Sequence, residues 1–170
     1  IETVRRLIIP DTSTFQAAVR TGKIDMTAGL PIDDADQLIK TTPKLQYDEY
    51  LPTGFGTNGI NFNLSDPKKP WANLKVRQAL MYATDFNAIV NGYYKGKAEM
   101  DMVLVDPNFT GKGYKPLSTM SESVQSLFKY NPEKARQLLK EAGYPSGFKA
   151  EMLVPNAATF VDQMSIIKDM

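Results

Sequence analysis

The stretch from Asn61 to Asp85 constrains the fold of this chain more than any other. It opens with an apolar run that ends near Asn63, passes through a loop containing prolines, and continues after Asn73 with apolar residues at helical spacing. Asn and Asp are both preferred helix N-caps because their side-chain oxygens accept hydrogen bonds from the first free amides. The pattern predicts a strand, a rigid turn, an amphipathic helix and a second helix that begins at Asp85.

The rest of the chain alternates in the same way, which favours the α/β class. Runs typical of strands cover residues 4–9, 24–28, 44–51, 59–64, 97–105 and 148–154. Helices are predicted from about 12 to 20, from 33 to 40, from 74 to 83, from 85 onward, from 132 to 142 and through 160–167. Asp11, Thr12 or Ser13 can cap the first of these helices, and Gly22 suits its left-handed stop. Leu74 is predicted to lie on the apolar face of the helix over 74–83. Residues 106–130 are predicted as loop.

The best-defined helix follows Asn131. Asn131 is its predicted cap, Pro132 takes the first helical position and Glu133 adds a favourable charge to the first turn. Gly143 is the predicted stop, with Ala135, Leu138, Leu139 and Ala142 on the buried face.

Composition excludes several classes of function. The net charge is +1, so bulk electrostatics favour neither nucleic acid nor an anionic membrane as a partner. The 170 residues contain no cysteine and no histidine, which excludes a thiolate nucleophile and nearly all zinc sites within them. The chain starts at Ile1 and stops inside an apolar helical pattern, so we expect it to be a piece of a longer protein.

Three motifs that suggest chemistry have better structural interpretations. Residues 54–59 form a literal G-x-G-x-x-G, but a strand pattern follows where a dinucleotide site needs a helix. Residues 65–68 match S-x-x-K, but Pro67 prevents the helical turn that this motif requires. Acidic residues at 33, 34 and 36 are favourable in the first turn of a helix without any function.

Two large side chains within the opening stretch are predicted to be structural. Arg77 lies opposite the main apolar face of its helix, where a Glu or backbone carbonyls can accept its hydrogen bonds; anion binding is the alternative role. Trp71 is predicted to pack ahead of the Asn73 cap, and a position facing the ligand cleft is the alternative.

Two parts of the sequence resemble the family 5 extracellular solute-binding proteins, the dipeptide, oligopeptide and nickel receptors of ABC importers. The first part comprises Asn63, Pro70-Trp71, Val76 to Leu80, Tyr82-Ala83 and Asp85. The second comprises Tyr130 to Ala135, Leu138-Leu139, Glu141 to Tyr144 and Gly147-Phe148. Thr84 and Phe86 depart from the family pattern at positions that are not expected to touch ligand.

The resemblance implies a fragment of a two-lobed periplasmic-binding-protein fold of type II, with a mixed sheet and flanking helices. Residues 1–57 would belong to the first lobe and residues 58–170 to the second. Such a receptor closes its lobes over an extracellular peptide and passes it to membrane permease subunits, without catalysis and without a cofactor or metal. The full-length receptor is expected to be monomeric, to bind no nucleic acid and to be periplasmic or extracellular, with a lipoprotein anchor as one arrangement.

The predicted ligand contacts lie at the crossing between the lobes and in the extended run around Met100 to Val103. They are Gly54, Phe55, Gly56, Thr57, Asn58, Met100 and Met102. The resemblance also implies that the main charge anchor for a ligand lies beyond Met170, so we expect the fragment to bind ligand poorly by itself.

Other functions stay open at this point. The same fold serves as a nickel, sugar or opine receptor, and as a sensory or interaction module. A hydrolase with a carboxylate pair is a further alternative, but it requires two acids with separated pKa values in one pocket, and no spacing here favours that.

Overall fold

The computed structural model describes residues 2–27, 30–49, 59–98, 100, 115–156 and 158–170, the side chains of 158 and 159 excepted. The chain divides into two compact units, Ile1–Tyr50 and Leu51–Met170. The lobe boundary between residues 57 and 58 stays a prediction.

The first unit contains two helices, α1 (Thr12–Arg20) and α2 (Ile32–Thr41). The Asp11 side chain caps α1 as predicted, by accepting a hydrogen bond from the Thr14 amide at 2.7 Å. Gly22 adopts a φ of 67° after the helix, which confirms its predicted left-handed stop. α2 begins one residue earlier than predicted.

Polar contacts connect these two helices. Ala18 and Val19 of α1 and Leu38 of α2 are buried. The buried Gln16 amide donates to Asp34 at 3.0 Å, which gives this acidic residue a structural partner. These contacts support the structural interpretation of the acidic residues at the start of α2.

The second unit contains five α-helices within its described residues. They are α3 (Leu74–Ala83), α4 (Phe86–Ala88), α5 (Glu122–Leu127), α6 (Pro132–Glu141) and α7 (Ala158–Asp169). Short 3₁₀ turns cover Pro70–Ala72 and Leu117–Thr119, and a π-helical turn at Ile89–Tyr93 follows α4 directly.

The core of the second unit is the contact between α3 and α6. Ala79 of α3 packs with Ala135 and Leu138 of α6, and all three side chains are buried. Small residues at this contact let the two helices approach closely. The predicted caps of both helices are confirmed: Asn73 accepts from the Lys75 amide at 2.9 Å and Asn131 from the Lys134 amide at 3.0 Å.

The predicted strands are absent from the described residues. Residues 4–9, 24–27, 44–49, 59–64 and 148–154 carry no strand, nor do 97, 98 and 100, and the mixed sheet is therefore not confirmed. A strand exists only where a second segment supplies ladder hydrogen bonds, and alternation in the sequence reports compatibility with a sheet rather than the presence of a partner.

Three helical expectations need correction. Residues 122–127 form α5, inside the segment predicted as loop. Leu74, predicted on the apolar face of α3, is 58% exposed. On α7, Phe160 and Val161 are exposed whereas Gln163 is buried, because the face of that helix that meets the rest of the unit is rotated from the one that apolar spacing predicts.

Candidate functional site

The structure describes few of the predicted ligand contacts. The crossing residues Gly54, Phe55, Gly56, Thr57 and Asn58, together with Met102, lie outside the described residues. Met100 is described and is 38% exposed, so its side chain is accessible to a ligand.

The 3₁₀ turn before α3 is fastened to the segment that precedes it. Trp71 donates from its indole nitrogen to the Asn63 carbonyl oxygen at 2.9 Å. Its ring lies between those of Phe62 and Phe148, each with a centroid separation of 6.5 Å. Lys69 places its ammonium 5.9 Å from the same ring. Trp71 thus joins the segment around Asn63 to the residues that follow the turn after α6.

Arg77 has the structural role predicted for it. One guanidinium nitrogen donates to the carbonyl oxygens of Trp71 at 2.7 Å and Ala72 at 3.0 Å. These two carbonyls belong to the 3₁₀ turn Pro70–Ala72. The turn is too short for its last carbonyls to accept hydrogen bonds from a following turn of the same helix. Backbone carbonyls therefore accept the hydrogen bonds of this side chain, as the sequence interpretation allowed.

An ion pair joins the outer surfaces of α3 and α6. Lys75 Nζ lies 2.8 Å from Glu141 Oε2, and Gln137 Nε2 donates to the other oxygen of the same carboxylate at 2.9 Å. The hydrogen bond from Lys75, followed by that from Gln137, lowers the pKa of Glu141. Both charged side chains are more than a third exposed, so solvent screens the pair and its contribution to stability is small.

The other end of α3 is held by α5 and the start of α6. The Tyr82 hydroxyl lies 2.8 Å from the Ser126 hydroxyl, and the Asn131 amide donates to the Tyr82 carbonyl at 2.8 Å. Phe86 packs on Phe128 with their ring centroids 5.5 Å apart. Phe86, which departs from the family pattern, therefore has a packing role.

The described residues offer structural contacts where the sequence suggested chemistry. Asn63 accepts hydrogen bonds from the amide and hydroxyl of Ser65, and Asp66 accepts from the Lys68 amide, which makes the S-x-x-K segment a turn. Across the described ranges, no three acidic residues are grouped so that they could hold a metal ion. In those same ranges, no helix combines the length and apolar character needed to cross a membrane.

A buried polar contact that the sequence does not predict joins α7 to Tyr94. Gln163 of α7 donates to the Tyr94 hydroxyl at 2.6 Å, just after the π-helical turn. No sequence signal identifies this contact, because Gln on a helix is usually exposed and its burial depends on which face of α7 packs inward.

Comparison with known proteins gives a consistent family. The profile described as "Bacterial extracellular solute-binding proteins, family 5 Middle" matches residues 1–170. The chain is 35% identical over 147 residues to "Heme-binding protein A" of Haemophilus influenzae, covering 86% of this chain and 24% of that protein. It is 31% identical over 145 residues to "Glutathione-binding protein GsiB" of Escherichia coli, covering 85% of this chain and 25% of that protein.

The chain spans about a quarter of the length of these relatives. No solved structure matches it significantly. The profile match extends over both segments that carry the resemblance, the one that leads into α3 and the one that contains α6. The chain belongs to family 5 of the bacterial extracellular solute-binding proteins.

Proposed function

We propose that this chain is part of the solute-binding component of an ABC importer, which captures an extracellular peptide by lobe closure and delivers it to membrane permease subunits. The observation that carries the proposal is the match of the family profile to residues 1–170. Membership of the family implies a type II periplasmic-binding fold. Within that fold, the proposal places residues 1–57 in the first lobe and 58–170 in the second, around a mixed sheet.

A peptide is the favoured ligand class. Glutathione, the ligand in the name of the Escherichia coli relative, is itself a tripeptide. Receptors of this kind hold a peptide backbone through main-chain hydrogen bonds. A site lined by Gly54, Gly56 and Thr57 suits such binding, because the small side chains of these residues leave backbone groups accessible. Phe55, Asn58, Met100 and Met102 would supply the side-chain contacts.

Binding without chemistry fits the contacts in the described residues. Ser65, Arg77 and Asp34 all take part in turns, caps or links between helices. We therefore propose a receptor that is not an enzyme, located in the periplasm or outside the cell. A lipoprotein anchor and a monomeric state belong to the same proposal.

A second candidate ligand is haem. It is favoured by the name of the Haemophilus influenzae relative, which shares 35% identity with this chain. A flat tetrapyrrole buries mostly apolar surface, so the proposed contacts Phe55, Met100 and Met102 would matter more for haem than for a peptide.

The test is ligand binding by the full-length protein that contains this chain. Calorimetric titration with reduced glutathione, with trialanine and with haem should give saturable one-to-one binding for one of the two chemical classes. Mass spectrometry of any molecule that is released from the protein after purification from its native cells identifies the ligand independently. Absence of binding and of a retained solute would contradict the proposal, as would turnover of a peptide that a single Asp or Glu substitution abolishes.

A matched pair of methionines tests the proposed contacts. Met100→Ala should weaken binding of the identified ligand by roughly tenfold, since it removes a side chain that packs on the ligand. Met152→Ala is the control, because Met152 is exposed to a similar extent, 44% against 38%, and belongs to no proposed contact. Equal effects of the two substitutions would remove Met100 from the site.

A further inference from the structure

The chain reaches Met100 through an unusual helix end. After α4, the backbone widens into the π-helical turn Ile89–Tyr93, and the Tyr94 amide closes it by donating to the Ile89 carbonyl at 3.1 Å. Turns of this kind are rare, and they are found frequently at functional sites.

Two consecutive left-handed residues follow this turn. Lys95 has a φ of 52° and Gly96 a φ of 78°. The Gly96 amide donates to the Val90 carbonyl at 2.9 Å, a closure one residue wider than the ordinary Schellman motif, and the Lys97 amide donates to the Tyr94 carbonyl at 2.8 Å. A left-handed residue other than Gly is disfavoured, so surrounding contacts must hold Lys95 in place.

A buried amide from a distant helix contacts the residue next to this left-handed pair. Gln163 of α7 is 4% exposed and donates from Nε2 to the Tyr94 hydroxyl at 2.6 Å. Tyr94 also meets the edge of the Tyr93 ring, with the two centroids 5.0 Å apart. The Gln163 contact therefore reaches the residue immediately before the left-handed pair.

The other end of the same amide is costly to bury. Gln163 Oε1 is buried and has no hydrogen-bond partner in the part of the chain that the structure describes. An apolar side chain of similar shape would fill this position without that penalty. The hydrogen bond from Nε2 to Tyr94 is thus the favourable interaction that Gln163 makes and that Leu could not make at this position.

We propose that Gln163 is a positioning residue for the predicted ligand contact Met100. It holds Tyr94, and through Tyr94 the left-handed Lys95–Gly96 turn that leads into the run containing Met100. The inference rests on the proposed function for its consequence in binding, but the positioning of the turn is independent of which ligand is bound.

Hydrogen exchange in the full-length protein tests the positioning directly. The amides of Gly96 and Lys97 report on the turn because both are hydrogen-bonded within it. Gln163→Leu and Tyr94→Phe should each accelerate their exchange by roughly two- to tenfold, the factor that corresponds to the loss of one hydrogen bond. The double variant should be little faster than either single variant, because both substitutions remove the same contact.

Gln137→Leu is the matched control. Gln137 is an exposed residue of α6 bonded to Glu141, so this variant makes the same chemical change away from the turn. Its Gly96 and Lys97 amides should exchange as in the wild type. Unchanged exchange in Gln163→Leu, or equal acceleration in Gln137→Leu, would overturn the proposal.

Titration with whichever of reduced glutathione, trialanine and haem the wild type binds then separates positioning from general stability. Gln163→Leu should bind at least severalfold more weakly than the wild type while its melting temperature is retained. Faster exchange with unchanged affinity would refute the link to Met100. If the wild type binds neither glutathione, trialanine nor haem, the proposed function fails, whereas the exchange data still decide whether Gln163 holds the turn.

Discussion

At the scale of single residues, backbone conformation separates two glycines, Gly143 and Gly92. Gly143 ends α6 with a φ of 91°, whereas Gly92 lies in the π-helical turn without a left-handed φ. An added Cβ would meet no atom within 4 Å at either position, so only the backbone conformation distinguishes them.

We therefore expect opposite effects of alanine at these two sites. Gly143→Ala should lower the free energy of unfolding by about 1 kcal/mol, because Ala resists the left-handed region. Gly92→Ala should raise it by up to about 1 kcal/mol, because Ala loses less backbone entropy in a helical turn. Urea unfolding of both variants measures the difference, and effects of the same sign would contradict this explanation.

Arg77 should contribute to stability through the two carbonyls that it satisfies. Arg77→Met keeps the aliphatic stem but leaves the Trp71 and Ala72 carbonyls without this donor, so we expect a loss of about 1–3 kcal/mol in the free energy of unfolding. Arg136→Met on the exposed side of α6 is the control and should change it by less than about 0.5 kcal/mol. Equal losses would mean that general charge, rather than the carbonyl contacts, is responsible.

At the scale of elements, helix ends were predictable and packing was not. Asp11, Asn73, Asp85 and Asn131 all cap helices as predicted, because a cap is a local interaction between a side chain and amides two or three residues away. α5 was missed because it has only six residues, too few for a periodic pattern, and contacts such as that between Ser126 and Tyr82 support it from outside.

In the candidate site, too, local features were predictable from the sequence and contacts made by packing were not. The structural role of Arg77 was predictable from its place opposite the apolar face of α3. The contact between Gln163 and Tyr94 was not, because it joins residues far apart in the sequence and depends on how α7 packs. Sequence patterns report local preferences, whereas this contact exists only after the helices have packed.

The stability of α1 should depend on pH through its capping residue, Asp11. Hydrogen bonds from the Thr14 hydroxyl, the Thr14 amide and the Ser13 hydroxyl lower the pKa of Asp11 below its ordinary value of 3.8. The stabilisation of α1 that depends on the carboxylate is therefore complete above the ordinary value, and it is lost as the pH falls through the lower pKa of the folded state.

Carbon-13 chemical shifts of the Asp11 carboxyl, recorded from pH 6 to pH 2 (roughly the range over which carboxylates titrate), should give a midpoint below 3.8. Asp11→Asn keeps the capping oxygen but cannot titrate, so it should remove this part of the acid sensitivity of α1. A midpoint at or above the ordinary value would show that the hydrogen bonds of the cap do not favour the charged form.

At the scale of the whole molecule, apolar side chains on irregular segments mark where the proposed sheet would form. Val4 and Ile8 are 81% and 87% exposed, and Leu153 is fully exposed. Their segments, residues 4–9 and 148–154, have the alternation or β-branched content of strands but carry no strand here. An edge with unpaired amides and apolar side chains is a template for another strand.

We therefore expect each of these two segments to pair with a further strand in a protein of the relatives' full length. Amide hydrogen exchange at residues 4–9 and 148–154 should be at least tenfold slower in the full-length protein than in the 170-residue chain, since sheet ladders restrict the opening that exchange requires. The amides of α6 serve as the internal control, because its hydrogen bonds and its packing on α3 are already present in this chain and should be similarly protected in both proteins. Equal exchange of the two segments in both proteins, with α6 unchanged, would refute the mixed sheet at these segments while leaving the helical scaffold intact.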